Sequence, residues 1–278
     1  PSAPAVLIVE ESFLPGSESG QYDLQEYLQG QPFTGAATNG WSGAWTGTGG
    51  GLRPPLRYTD ISGVTIGSAD SWEDSAAISW SGTDNSARGI ATNTKLGSAT
   101  ELWIRILWEP DSTLGPEYFT FRRNHESSDG RIVIRRSATL GSEGERNELA
   151  VDSLVSGDDI TDNSPLFPTV TGGDTHLLLF RLTIDRNTGA DDVVDLWVDP
   201  TATSETDLGA ATATVTANFL EGAEDQLSQF DFTGSNSYEL DEIGIGETFG
   251  DVIDVPAPPA APTSVDSSDG EYGNKIDV

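Results

Sequence analysis

The chain predicts an all-β fold, a two-sheet antiparallel sandwich of jelly-roll type. Three observations carry that expectation. Turn-forming residues are dense, with 31 Gly and 15 Pro among 278 residues. Between the turns lie short runs rich in Val, Ile, Leu, Phe, Trp and Thr, and several alternate with a period of two, the mark of a half-buried strand. Helical periodicity is nearly absent; only YDLQEYLQG (22–30) has room for a turn or two, with Gly30 as its stop. Many strands without helices between them bury a core most simply as a sandwich or jelly roll.

In chain order, AVLIVEESF (5–13) is the first expected strand and AAISW (76–80) a later one. ELWIRILW (101–108) is apolar on both faces and reads as a central strand. EYFTFRR (117–123) and RIVIRR (131–136) are expected to form a hairpin through NHESSDG. In THLLLFRLTID (175–185), Phe180, Leu182 and Ile184 face one side and Arg181, Thr183 and Asp185 the other. A polar turn, DRNTGADD (185–192), joins it to VVDLWVD (193–199), and ATATVTANF (211–219) and YELDEIGIG (238–246) complete the set. The sandwich is thus expected over 1–253. A stiff proline-rich linker, DVPAPPAAPTS, follows over 254–264. The last stretch, 265–278, reads as an incomplete domain or a docking arm.

Charge excludes several partners. With 45 acidic against 14 basic residues the formal net charge is −31, which repels nucleic acid and anionic lipid. Such a surface suits a protein living among cations, in saline water or with bound Ca²⁺. No apolar run reaches membrane-spanning length, so membrane insertion is not expected. Without cysteine there is no disulfide framework or thiolate metal site, and the two histidines, His125 and His176, stand too far apart in sequence to suggest a zinc centre. The first residues, PSAPAVLIVEESF, fit a mature chain whose signal peptide has been cleaved, hence an extracellular or cell-surface location.

Four ordered motifs, VEESF, NGWSGAWTG (39–47), DLWVDPTAT (195–203) and ELDEIGIGETFGDV (239–252), resemble the laminin-G-like, concanavalin-A-like domains of large secreted bacterial proteins. The likeness covers roughly 5–252 and implies a jelly roll whose first and last strands pair near each other. It implies glycan binding, protein binding or spacing, because the fold alone does not name a function. The segment 265–278 resembles the opening of a fibronectin type III domain.

The same fold serves laminarinase-type glycoside hydrolases, which carry Glu-x-Asp-x-Glu on one strand, and YELDEIGIGE invites that comparison. Glu239 and Asp241 match the first two positions, but the third falls on Ile243 or Gly244. Alternation sends Glu242 to the opposite face, and Glu247 lies too far along. The catalytic triplet is broken, so no catalytic residue is assigned and no enzyme is expected. Hydrolysis of a polysaccharide stays a remote alternative.

Calcium needs six to eight oxygens. In many carbohydrate-binding sandwiches it ties the first strand to the last, which points to Glu11 and Asp241; two solvated carboxylates on neighbouring strands are the alternative. Asp185, Asn187 and Asp191 recur at alternate positions like EF-hand ligands, without the usual sixth-position Gly or closing Glu, and a polar hairpin turn is the plainer reading. Trp197, flanked by Asp195 and Asp199, offers a ring and carboxylates to a sugar, and Trp41 and Trp45 in a glycine-rich loop offer a rim. The same rings could instead cover a sheet. Arg122, Arg123, Arg131, Arg135 and Arg136 crowd fifteen residues of a chain with few cations. Their forks suit carboxylates and sulfates; neighbouring acids could also simply neutralise them.

Two functions follow. One is a non-enzymatic adhesion or structural module that binds a glycan or extracellular matrix, stabilised by calcium. The other is a self-assembling subunit of a surface layer, fibre or filament, whose partners are other copies of itself.

Overall fold

The protein was examined as a computed structural model. It describes residues 7–11, 46–47, 51–53, 56–58, 66–67, 77–80, 85–89, 100–110, 117–123, 131–137, 146–152, 166–167, 172–185, 187, 191–218, 227–234 and 238–253. Trp41, Trp45, the linker over 254–264 and the segment 265–278 lie outside them.

The strands run β1 (Leu7–Glu11), β2 (Thr46–Gly47), β3 (Gly51–Arg53), β4 (Arg57–Tyr58), β5 (Ile66–Gly67), β6 (Ala77–Trp80), β7 (Asn85–Gly89), β8 (Glu101–Glu109) and β9 (Glu117–Arg123). They continue with β10 (Arg131–Ser137), β11 (Arg146–Asp152), β12 (Leu166–Phe167), β13 (His176–Thr183), β14 (Asp192–Val198), β15 (Ala213–Ala217), β16 (Leu227–Gly234) and β17 (Tyr238–Gly246), before one short helix, α1 (Phe249–Val252). The first sheet has the order β15-β14-β13-β8-β17-β6-β3, with β1 also on β17; the second has β12-β11-β10-β9-β16-β7-β2. Every pairing is antiparallel. The chain repeatedly crosses from one sheet to the other, so this is the expected jelly-roll sandwich.

The core follows from the alternation. Ile104 and Ile106 of β8, Phe180 and Leu182 of β13, and Leu240 and Ile245 of β17 face the second sheet, where they meet Phe121, Ile132, Leu149 and Phe230. Phe121 and Phe230 pack with ring centroids 4.9 Å apart, a contact worth about 0.5–1.5 kcal/mol beyond the area it buries. β8 is central, between β13 and β17, as its two apolar faces predict. The expected pairing of first and last strands is present: Val9 stands opposite Ile245 and Glu11 opposite Ile243.

The opposite residues of the first sheet are apolar too. Trp103 and Leu107 of β8, Leu177 and Leu179 of β13, and Trp197 of β14 form a second buried cluster with Leu56, Tyr58, Ile66, Phe249, Val252 and Ile253. The first sheet is therefore covered on both faces, on its outer side by the β4–β5 ribbon and α1. A capping box fixes α1: Thr248 Oγ1 accepts from the Asp251 N–H at 3.2 Å, and Asp251 Oδ2 accepts from the Thr248 N–H at 2.9 Å. Gly246 lets it approach, since a Cβ there would lie 2.4 Å from that of Asp251.

Candidate binding face

The carboxylates of β17 hold the outer layer in place. Asp241 stands opposite Leu107, but Gly244 stands opposite Arg105, so one extra residue is inserted as a β-bulge. Glu242, with φ +49, takes the turn. Strict alternation sends Glu242 to the face opposite Asp241; the bulge corrects that expectation. Leu240 and Ile243 both enter the main core, and both carboxylates reach groups of the outer layer. The bulge lies where β17 changes partners along one edge, from β6 at 238–240 to β1 at 243–246.

Asp241 is completely buried. Its Oδ2 accepts from the Leu56 N–H at 2.9 Å and its Oδ1 from the Glu242 N–H at 2.8 Å. Burial, and next the charge of Glu242, push its carboxyl well above the usual range against the pull of those two N–H groups and Arg105. Arg105 is buried alongside. It donates to Glu242 Oε2 at 3.0 Å, to the Val252 carbonyl at 2.8 Å and to the Glu242 carbonyl at 3.3 Å. Both oxygens are engaged by backbone donors inside the fold, and among the described residues no metal-ligating cluster of three includes Asp241. The side chain of Glu11 lies outside the described residues.

The loop after β13 is likewise internally bonded. Asp185 Oδ1 accepts from both the backbone N–H and the side-chain amide of Asn187, at 3.1 and 2.5 Å, as in an Asx turn. The buried Asp192 accepts from the Asp185 N–H at 2.8 Å, and Asp191 is exposed. Among the described residues no three His, Asp or Glu side chains gather as a metal site. The hairpin-turn reading accounts for these contacts.

Trp197 occupies the face opposite the main core, as expected, but it is no open platform. It is 6% exposed. Its ring stacks on Trp103 at 5.8 Å and 21°, and its Nε1 donates to the Gly209 carbonyl at 3.3 Å. The Arg181 guanidinium lies 5.6 and 5.4 Å from the two rings. Asp195 accepts from Arg181 at 2.7 Å and from the Thr214 hydroxyl at 2.7 Å. Asp199, with φ +52, takes the Leu177 N–H at 2.9 Å and stands 2.7 Å from His176 Nδ1. All three residues already have partners within the fold, although the Asp199 side chain stays 35% exposed.

The second sheet differs. The expected hairpin is present, with Arg131 opposite Arg122 and Arg135 opposite Tyr118. Between the core positions of its central strands run three parallel rows. One is Gly89–Gln229–Arg122–Arg131–Asp152 and another Asn85–Thr233–Tyr118–Arg135–Glu148. The row between them, Ala87–Asp231–Thr120–Val133–Ala150, is made of shorter residues. The outer two rows are four residues apart along each strand, about 13 Å, and five strands span about 19 Å. Thr120, in the middle row, is only 5% exposed. The register also divides the five arginines expected in one patch. Arg123 pairs with Leu227, and Arg136 with Glu117 and Asn147, on the positions that alternate with these rows.

No family model matches the chain, and no curated protein matches it. Among solved structures, the potassium-bound carbohydrate recognition domain of Emp46p has a TM-score of 0.44 at 11% identity, covering 73% of this chain and 88% of that one. Alginate lyase Aly36B has 0.42 at 10% identity, covering 62% and 80%. Alginate lyase vAL-1 from Chlorella virus has 0.41 at 7%, covering 76% and 94%. Likenesses this distant carry no argument about ligand or chemistry here.

Proposed function

We propose that the chain is an extracellular, non-enzymatic β-sandwich module that binds an acidic glycan across its second sheet. The observation that carries this reading is the three-row register. Arg122, Arg131 and Arg135 stand in the two rows that border a short-residue row, in a chain with 45 acidic against 14 basic residues. Like charges directly opposite on a ladder are destabilising; Asp152 stands on the far side of Arg131, whereas Arg122 has Gln229 there, so a bound anion relieves Arg122. Carboxylate or sulfate groups suit paired guanidinium forks. Gln229, Asn85, Thr233 and Tyr118 add hydroxyl- and ring-binding chemistry along the same rows. The two-sided cover of the first sheet leaves the second as the better place for a polymer.

Calorimetric titration with uronate-containing, sulfated and neutral oligosaccharides tests this. Binding is expected for the acidic ones alone and weakens as salt rises. Appearance of a cleaved product during the titration would make the face catalytic, and failure to bind any acidic glycan would overturn the reading.

A further inference from the structure

Sheet edges invite pairing, and proteins blunt them with short strands, charges or proline. Among the described residues three terminal strands follow that rule. β2 and β12 end the second sheet with two residues each, and β3 ends the first with three, including Arg53. β1, which also borders the first sheet, carries Glu10 and Glu11. β15 is the exception. It has five residues, Ala213–Ala217, and among the described residues its ladder partner is β14 alone. No residue from Leu208 to Leu220 is charged or is proline. Ala213 and Val215 pack toward the core while Thr214 and Thr216 are exposed.

Charge identifies the occupant. A molecule at −31 repels its own kind, and an uncharged edge is where two copies meet without setting carboxylate against carboxylate. A basic partner would gain more from the acidic surfaces than from this strand. The nearest carboxylate on the outer face, Asp195, is already paired with Arg181 and Thr214. We propose that β15 is the joint between two copies of this chain, paired antiparallel about a two-fold axis at Val215 so that the two first sheets become one. The interface is isologous. Five paired residues bury less than the roughly 800 Å² per partner of a standard interface, so the dimer forms with rising concentration.

Sedimentation velocity of the full chain over a range of concentration and salt tests the joint. A monomer–dimer equilibrium is expected, and more dimer at higher salt, because screening relieves the mutual repulsion. With the axis at Val215, Thr216 faces Thr214 of the partner subunit. Thr216→Glu is expected to weaken dimerisation about fivefold, while Thr216→Lys maintains or tightens it. Unfolding in urea checks that both variants remain folded. A monomer under all conditions, a dimer favoured by low salt, or a dimer that responds equally to both substitutions would overturn the proposal.

Discussion

The outer faces of the two sheets show how similar strands acquire different uses. On the first sheet the outward positions of β8 and β13 are mostly large and apolar, Trp103, Leu107, Leu177 and Leu179, and each is fully buried beneath α1 and the β4–β5 ribbon. The cations among them are absorbed: Arg105 into Glu242 and two carbonyls, Arg181 into Asp195, Glu205 and the Trp103–Trp197 stack. On the second sheet the equivalent positions of β9, β10 and β16 are arginines, a tyrosine, threonines, Gln229 and Asp231, while the core positions stay apolar. An arginine under a cover holds the fold together. The arginines of the second sheet stand instead in rows of polar residues, and the proposed glycan site rests on that difference.

The largest difference is expected from removing one arginine on each side. Arg105→Ala leaves Glu242 and two carbonyls buried without their donor, and should cost about 3–5 kcal/mol in urea denaturation. Arg131→Ala should change stability by no more than about 0.5 kcal/mol while weakening acidic-glycan binding. Next is the cover itself. Gly246→Val sets a side chain against Asp251 and displaces α1, with an expected loss of about 1–3 kcal/mol.

Asp241 sharpens the comparison through pH. Its folded pKa is raised by burial and by Glu242, so above about pH 4 the unfolded chain releases a proton that the folded one retains. Its contribution to stability therefore falls as pH rises toward the folded pKa, and is not lost on acidification. Asp241→Asn cannot accept from both the Leu56 and Glu242 N–H groups, and near pH 4 it should be less stable than the parent by about 1–3 kcal/mol. That gap should narrow as pH rises, read from urea midpoints of both proteins. A gap that widens with pH would mean that Asp241 is ionised in its buried site.

Much of this contrast was legible in the residues. β8 announced a central strand, and the arginine-bearing hairpin formed as its two flanking runs implied. The cover was harder to see, because Leu56, Tyr58 and Ile66 lie far in sequence from Trp103 and Trp197. One signal was available: Leu177 and Leu179 are apolar on the parity assigned to solvent by Arg181 and Thr183. Another was Thr248-x-x-Asp251, the pattern of a capping box, which places a helix after the last strand. The bulge at Glu242 had no marker, since the residue with positive φ is not glycine. Without it, alternation puts Asp241 and Glu242 on opposite faces, and the engagement of Asp241 by two backbone N–H groups could not be read from spacing.

The most direct test of the central claim is calorimetric titration of one acidic oligosaccharide into three proteins: the parent, Arg122→Glu/Arg131→Glu, and Trp197→Phe. The parent and Trp197→Phe should bind alike, because Trp197 is buried under the cover of the first sheet, while the double arginine variant should show no measurable heat. Binding retained by the double arginine variant and lost in Trp197→Phe would place the ligand on the wrong sheet and contradict the account.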